Sequence, residues 1–206
     1  MEAEMYHGQS IHLRLQRRIT LVKNMKIETQ RLVIRSYIES DLMECFHLMQ
    51  DKELFAFLDM SVMSLDEYKN LFHWLISSYN IGFDGDFKYS FNVTLKETGE
   101  HIGWVGIGGA DFDHSIKEIY WLIGRNFQCK GYASEAAAAM LKYGFCVIGL
   151  DEIVAFCKSE NIASMKVMQN IGLKYQGIVE GLPEEHDFFN GEPKYALSKN
   201  EFMCIV

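Results

Sequence analysis

The sequence lacks several features that would place it in a membrane, secretory or metalloprotein class. It has no apolar run near the roughly 20 residues that a membrane-spanning helix needs. Its first residues also lack the apolar segment of a secretory signal peptide. The five cysteines form no CxxC pair, and none of the seven histidines shows a metal-ligand spacing such as HxxxH. We therefore expect a cytoplasmic protein with reduced thiols and no metal site.

Basic residues are also scarce, with 20 Lys and Arg against 28 Asp and Glu, which gives a net charge of −8. This balance argues against a general nucleic-acid binder, because neutralising phosphates requires clustered cations. It favours a cationic or amine-bearing partner. The 206 residues are 49% hydrophobic and 13% aromatic, so one domain with a sizeable core is expected and a mainly disordered chain is excluded.

Residues 1–24 differ in charge from the rest of the chain. They carry four basic and two acidic residues, a net of +2, which leaves −10 for residues 25–206. Met25 is a second possible start, and the sequence around Ile11, Leu13 and Leu15 alternates weakly, as in a strand. We interpret residues 1–24 as an N-terminal extension without a catalytic role: a simple extension, a start-site artefact or a packing arm. Residues 25–206 then form the functional domain.

Hydrophobic periodicity and turn residues predict alternating strands and helices within that domain. Ser40-Asp41 offers cap chemistry to one helix, and Ser64-Leu65-Asp66-Glu67 is a capping box that begins another. Three central strands at short spacing indicate an antiparallel meander. The predicted strands are 32–35, 87–95, 102–110, 116–123, 153–157, 173–179 and 195–205, and the predicted helices are 42–49, 64–80, 131–147 and 161–171.

The segment with the most chemical content is 119–136, in which a strand runs into a loop and a helix follows directly. Amides at a helix start have no intrahelical acceptor, and together with the helix dipole they suit a phosphate or pyrophosphate. Gly131 lets the backbone approach an oxygen closely, and Lys130 adds a cation. Competing phosphate motifs are absent: GxxxxGK[ST] does not occur, and Gly106–Asp111 lacks the third glycine of GxGxxG.

The loop belongs to an ordered set of motifs. Gln128-x-x-Gly131-x-Ala133 is followed by Asn161-x-x-Ser164 and then by Gly172-Leu173. This order resembles the GNAT superfamily of acetyl-CoA-dependent N-acetyltransferases. The segments 28–35 and 118–123 are similar to its RimJ/RimL-type branch of ribosomal-protein N-acetyltransferases, and the likeness extends from Met25 to the C-terminus. It implies an α/β (α+β) fold with a mixed, mostly antiparallel sheet of six or seven strands and helices on both faces.

The resemblance also implies which residues bind acetyl-CoA. In the family, backbone amides of the loop hold the pyrophosphate of coenzyme A, and the strand before the loop splays from its neighbour to pair with the pantetheine arm. The family's asparagine contacts the same arm, although Asn161 is also explained as a helix N-cap. The coenzyme-binding residues so implied are Trp121, Leu122, Ile123, Gln128, Cys129, Lys130, Gly131, Tyr132, Ala133, Ser134, Asn161 and Ser164.

Acyl transfer to an amine requires a base, and Glu118 is the candidate because the branch often carries a glutamate there. Strand alternation places it on one face with Tyr120 and Leu122; the alternative is a solvated carboxylate on an edge strand. Many family members carry a tyrosine general acid seven residues after the asparagine, but this sequence has Met168 there. Ser164 or Tyr120 could donate the proton instead, or the thiolate could leave unassisted, since a thiol has a pKa of about 8.5.

These residues predict direct transfer of acetyl from acetyl-CoA to a primary amine in a ternary complex. A covalent cysteine route is disfavoured, because Cys129 lies in the phosphate loop and no cysteine is paired with an evident histidine base. The acceptor is either a protein N-terminus or a small amine, and segments 50–85 and 180–194 are expected to form its pocket. His114 and His186 are interpreted as solvated loop residues. The alternative function is a non-catalytic acyl-CoA-binding or regulatory module, and a monomer or a homodimer is expected.

Overall fold

The computed structural model describes residues 15–83 and 85–204. The described residues form one eight-stranded sheet with helices packed on it, in the order β1-β2-β3-β4-β5-β6-β8-β7. The strands are β1 Lys26–Glu28, β2 Leu32–Arg35, β3 Lys88–Leu95, β4 His101–Ala110, β5 Asp113–Ile123, β6 Glu152–Phe156, β7 Lys174–Ile178 and β8 Pro193–Ser198. The helices are α1 (residues 15–23), α2 Leu42–Leu48, α3 Leu65–Ser78, α4 Tyr132–Tyr143, α5 Ile162–Asn170 and α6 Lys199–Met203.

The predicted α/β class and the antiparallel meander are confirmed, and the predicted count of six or seven strands is wrong. Strands β1 to β5 pair antiparallel with their neighbours, β5 and β6 pair in parallel, and β8 pairs antiparallel with both β6 and β7. The additional strand is β1, which has only three residues. Such a segment is too short to show an alternation in the sequence.

Alternation along the meander gives the sheet one strongly apolar face. Phe91 of β3, Ile107 of β4 and Ile119 of β5 are buried there, and α4 covers them. Ala136 and Ala137 of α4 are fully buried, so the small side chains let the helix axis approach the strands closely. The helix that begins directly after Gly131 is therefore fixed on the centre of the sheet.

One predicted helix cap and one predicted strand end are wrong, in both cases because a side chain makes a different hydrogen bond. Asp41 does not cap α2; its carboxylate is bonded to the Arg35 guanidinium at 2.6 and 2.8 Å. The last strand ends at Ser198 rather than continuing to residue 205, because Ser198 and Glu201 form a capping box that begins α6. Ile205 lies outside the described residues.

The described part of the N-terminal segment packs on the domain. Val22 of α1 is fully buried, and its carbonyl accepts a 2.5 Å hydrogen bond from Ser36 Oγ. Leu15 is helical, and its Cδ1 lies 3.0 Å from where a Cβ on Gly82 would stand. The strand-like pattern at residues 11–14 lies outside the described residues. These contacts favour the packing-arm interpretation, and the boundary at residue 24 stays a prediction.

The predicted capping box at the start of α3 is confirmed. The Ser64 hydroxyl accepts from the Glu67 amide, and the Glu67 carboxylate accepts from the Ser64 amide at 2.8 Å. We expect Ser64→Ala to lower the free energy of unfolding by about 1 kcal/mol and Tm by about 2–4 °C. The control is Ser77→Ala, since Ser77 lies in the last turn of the same helix and only bonds the Trp74 carbonyl. Equal Tm values for the two variants would contradict this prediction.

Candidate active site

The sheet opens between β5 and β6. Their parallel pairing is confined to Glu118 opposite Val154, and β6 ends at Phe156, whereas β5 continues to Ile123. The backbone of Trp121–Ile123 therefore pairs with β4 on one side and faces α5 across a gap on the other. This is the geometry in which strand amides and carbonyls are left for an extended ligand. The predicted contact of Trp121, Leu122 and Ile123 with pantetheine stays a prediction.

The loop after β5 has the backbone form of an anion site. Cys129 and Gly131 adopt left-handed conformations with φ of 59° and 81°, and such alternation turns successive amides into one concavity. Gly131 is the N-cap of α4, and no side chain caps this helix end. The first-turn amides of Tyr132, Ala133 and Ser134 thus have no helical acceptor and are available to a ligand. The side-chain amide of Gln128 connects the loop to β5, because its Nε2 donates to the Ile123 carbonyl at 2.9 Å.

Asn161 and Ser164 stand across the gap, at the start of α5. Asn161 Oδ1 accepts from the Ser164 amide at 3.0 Å, so the N-cap interpretation is confirmed. Both residues also line the cavity described below. Asn170, at the other end of α5, donates to Ser134 Oγ at 3.3 Å and so links α5 to α4. Contact of Asn161 with the coenzyme remains a prediction.

A cavity of about 370 Å³ adjoins this gap. Trp121, Asn161 and Ser164 of the gap line it, and so does Glu118. Its walls are mainly aromatic and aliphatic. They come from the segment between α2 and α3, from α3 itself and from the turn before β8, as the wall residues Phe57, Leu58, Met60, Tyr68, Leu71, Trp74, Leu75, Phe188 and Phe189 show. These segments lie within the predicted acceptor regions 50–85 and 180–194.

Glu118 lies in the interior of the sheet, between β4 and β6, so the interpretation as a solvated edge-strand residue is wrong. Only 14% of its side chain is exposed, and its Oε1 is 3.2 Å from Lys88 Nζ. Burial raises the pKa of Glu118 to about 7; the Lys88 ammonium opposes that rise, while the Asp111 and Glu192 carboxylates add to it. A carboxyl group with a pKa near 7 is suited to general-base work at neutral pH.

The two candidate proton donors differ in how they are held. The Tyr120 hydroxyl donates to the Tyr89 carbonyl at 3.0 Å, and burial raises its pKa well above the usual value, which makes it a weaker acid. Its ring covers Gly106, where an added Cβ would stand 2.2 Å from ring atoms. Ser164 borders the cavity, and Met168 is fully buried without a polar atom. Tyr120 lines the same cavity, and proton donation by either residue stays a prediction.

Several charged residues of the site were missed by sequence reasoning. Lys88 bonds both Glu118 and Asp111, the latter at 2.5 Å. Glu192 is buried beside the cavity, with its Oε1 3.1 Å from Lys158 Nζ, and burial raises its pKa. The alternation in β3 places Lys88 on the same strand face as Ser90, which is the one sequence feature that indicates it. Glu192 follows a turn, and no sequence pattern indicates that its side chain lies at the site.

The two histidines behave differently from one another. His114 is exposed, as expected, but it lies near the start of β5 rather than in a loop. His186 is only half-buried, is paired with Glu185 at 4.0 Å and is not among the residues that line the cavity. Phe188 and Phe189 of the same turn line it instead.

Within the described ranges, all five cysteines are free thiols, and no cluster of His, Cys, Asp or Glu is placed to hold a metal ion. No helix among the described residues has the length and apolar character to cross a membrane.

Comparison with known proteins agrees with this geometry. Residues 31–174 match the model of the acetyltransferase (GNAT) domain. The uncharacterized N-acetyltransferase YnaD of Bacillus subtilis (strain 168) is 31% identical over 179 residues, which are 86% of this chain and 99% of that protein. The spermidine N(1)-acetyltransferase of Escherichia coli (strain K12) is 29% identical over 108 residues, or 52% of this chain and 53% of that protein.

Solved structures share the fold. A GNAT-family acetyltransferase from Bacillus anthracis superposes with a TM-score of 0.72 at 26% identity, covering 86% of this chain and all of that one. RimL, a ribosomal L7/L12 alpha-N-protein acetyltransferase solved with coenzyme A, superposes with a TM-score of 0.69 at 18% identity, covering 84% and 97%. The chain belongs to the GNAT family and is an acetyl-CoA-dependent N-acetyltransferase.

Proposed function

We propose that this enzyme acetylates a primary amine by direct attack within a ternary complex, with Glu118 as the general base. One observation carries the proposal: a single cavity is lined both by Trp121, Asn161 and Ser164 at the gap and by Glu118. A thioester lying in the gap and an amine lying beside Glu118 would therefore meet inside the sheet. Such positioning replaces a bimolecular encounter by an intramolecular one.

The residues of the loop fit coenzyme A. Two left-handed residues, Cys129 and Gly131, and the uncapped start of α4 present amides to an anion, as a pyrophosphate requires. The open backbone of Trp121–Ile123 suits the amide-containing pantetheine arm. Lys130 folds back on the loop, with its ammonium bonded to the Asn126 carbonyl at 2.9 Å, and its contact with the coenzyme stays a prediction. When bound, the thioester supplies the acetyl group.

Glu118 would take the proton that the acceptor must lose. A free α-amine has a pKa of about 7.7 and a lysine-type amine about 10.4, and entry into an apolar cavity lowers either value. A carboxylate with a pKa near 7 is then a competent partner, directly or through one water. Ser164 and Tyr120 remain the candidate donors to the leaving thiolate, with Ser164 preferred because the Tyr120 proton is committed to the Tyr89 carbonyl.

The acceptor that best suits the cavity is a small amine with an apolar body. The walls are mainly aromatic and aliphatic, and Glu118 is the group that faces the amine, since Asp111 and Glu192 pair with Lys88 and Lys158. A spermidine acetyltransferase among the relatives supports a small-molecule amine. A protein N-terminus is the second candidate. It is favoured by Phe57, Met60 and Trp74, which line the cavity yet are 38%, 36% and 52% exposed.

A panel of acceptors tests the proposal. Release of free thiol from acetyl-CoA is measured with aromatic and aliphatic monoamines, polyamines, amino acids and short peptides, and the products are identified by mass spectrometry. We expect the highest kcat/KM with an apolar monoamine. Highest turnover with peptides would establish the second candidate. Calorimetric binding of acetyl-CoA without turnover of any amine would contradict the enzyme assignment and leave the non-catalytic module.

Three further assignments complete the proposal. We place the enzyme in the cytoplasm, in keeping with its free thiols. Residues 25–206 form the acetyltransferase domain and 1–24 an extension, and the burial of Val22 supports packing of residues 15–24 on that domain. No step of the proposed reaction requires a second subunit, so a monomer and a homodimer both accommodate it.

A further inference from the structure

The segment 28–35, by which the sequence resembles its branch of the family, makes contacts with α4 that the proposed reaction does not explain. Its turn residues face the start of α4. Thr29 Oγ1 and the Arg31 amide both donate to Glu135 Oε1, at 2.6 and 2.7 Å, and Arg31 Nε donates to Glu135 Oε2 at 2.7 Å. Since Glu135 lies in the first turn of α4, these bonds hold the helix start against the β1–β2 turn.

The Arg31 guanidinium also reaches the coenzyme loop itself. Its Nη1 donates to the Lys130 carbonyl at 2.8 Å, and its central carbon, Cζ, lies 4.6 Å from the centre of the Tyr132 ring. Its Nη2 is 3.3 Å from where a Cβ on Gly131 would stand. One side chain thus contacts Lys130 of the loop and both Tyr132 and Glu135 in the first turn of α4.

These contacts fix the direction of one amide. In a planar trans peptide the carbonyl and the following N–H point in opposite directions. Because the Lys130 carbonyl is bonded to Arg31, the Gly131 N–H is turned to the side away from Arg31. We propose that Arg31 is a positioning residue that sets the coenzyme A loop in its binding form before the ligand arrives. The inference rests on the proposed function, in which this loop holds the pyrophosphate.

The expected effect is on affinity rather than on folding. The Arg31 side chain is 42% exposed, and Glu135, which is 15% exposed, keeps its hydrogen bonds from Thr29 Oγ1 and the Arg31 amide in Arg31→Gln, so the loss of stability is small. A loop that is ordered before binding, in contrast, avoids paying the entropy of ordering when the ligand binds. Arg31 touches the loop from the side opposite the Gly131 amide, so it acts through the backbone and not on the reacting atoms.

Calorimetry with coenzyme A tests the inference on Arg31→Gln. We expect Kd to rise about tenfold with little change in kcat. The loss should also depend on the pyrophosphate: kcat/KM should fall with acetyl-CoA and stay unchanged with S-acetylpantetheine, which lacks it. Arg31→Lys keeps the charge but not the fork that reaches Glu135 and Lys130 together. We expect Arg31→Lys to bind coenzyme A as weakly as Arg31→Gln does. Full recovery of affinity in Arg31→Lys would overturn the positioning role.

Lys174→Ala is the matched control, because it removes a surface ion pair of similar length, 2.6 Å to Glu201, far from the loop in sequence and on β7. It should leave Kd unchanged. Wild-type protein that binds coenzyme A no better than Arg31→Gln would overturn the inference alone. Wild-type protein without any affinity for coenzyme A would instead overturn the proposed function.

Discussion

Glu118→Gln should lower kcat by about 10²–10⁴, the usual contribution of a general base. The change is nearly isosteric, and the amide oxygen can still accept from Lys88, which stands 3.2 Å from Oε1. Packing around the site is therefore kept while the proton acceptor is removed. Steady-state kinetics with a good acceptor measures the loss, and calorimetry should show that affinity for acetyl-CoA is unchanged.

The role of Glu118 as a base also predicts that kcat rises with pH. Burial raises the pKa of Glu118 to about 7, so the active carboxylate form appears as pH rises through that value. In the wild type kcat should increase from pH 6 to pH 8, and in Glu118→Gln this limb should disappear. Asp111→Asn should move the midpoint below 7, because the Asp111 carboxylate contributes to the raised pKa and also shares Lys88.

One outcome would remove Glu118 from the mechanism: a Glu118→Gln variant that has the kcat of the wild type and the same increase of kcat from pH 6 to pH 8. Glu192 would then be the next group to test, since it lines the same cavity and burial raises its pKa as well. A lower Tm for Glu118→Gln at pH 8 is not expected. A buried carboxyl group with a raised pKa costs folding free energy above its unfolded pKa, and glutamine removes that cost.

The parts of the site that the sequence predicts are those built from neighbouring residues. The turn at Gly131, the cap at Asn161 and the alternation that places Glu118 and Tyr120 on one face all depend on local spacing. The capping box at Ser198 and Glu201 is equally local, yet the apolar residues on both sides of it favour a continuous strand. The two local signals conflict there, and the capping box is the one that the fold follows.

The rest of the site depends on contacts between distant segments. Lys88 meets Glu118 only because β3 and β5 flank the glycines of β4, and Gly108 lies between them in register. The gap between β5 and β6 arises because β6 stops at Phe156, and a strand end of this kind carries no mark in a single sequence. Glu192 approaches the cavity through its ion pair with Lys158, which is 34 positions earlier in the chain. Pairing register of this kind cannot be derived from local patterns.

Gly131→Val should weaken coenzyme A binding by about a hundredfold, the largest effect on ligand affinity that we expect. Gly131 has a φ of 81°, and a β-branched residue there costs about 1–3 kcal/mol of strain. A Cβ would also stand 3.3 Å from Arg31 Nη2, so the loop would leave its present form to accommodate the side chain. The amides of the first turn of α4 would then no longer converge on one point.

Gly149→Val separates this effect from general strain. Gly149 has a φ of 90°, and a Cβ there meets no atom within 4 Å, so the variant carries similar backbone strain beyond the far end of α4. Both variants should lose similar stability in thermal unfolding, while only Gly131→Val should lose affinity in calorimetry with coenzyme A. If the two bind coenzyme A equally tightly, the turn at Gly131 does not hold the pyrophosphate, because its left-handed form is then dispensable for binding.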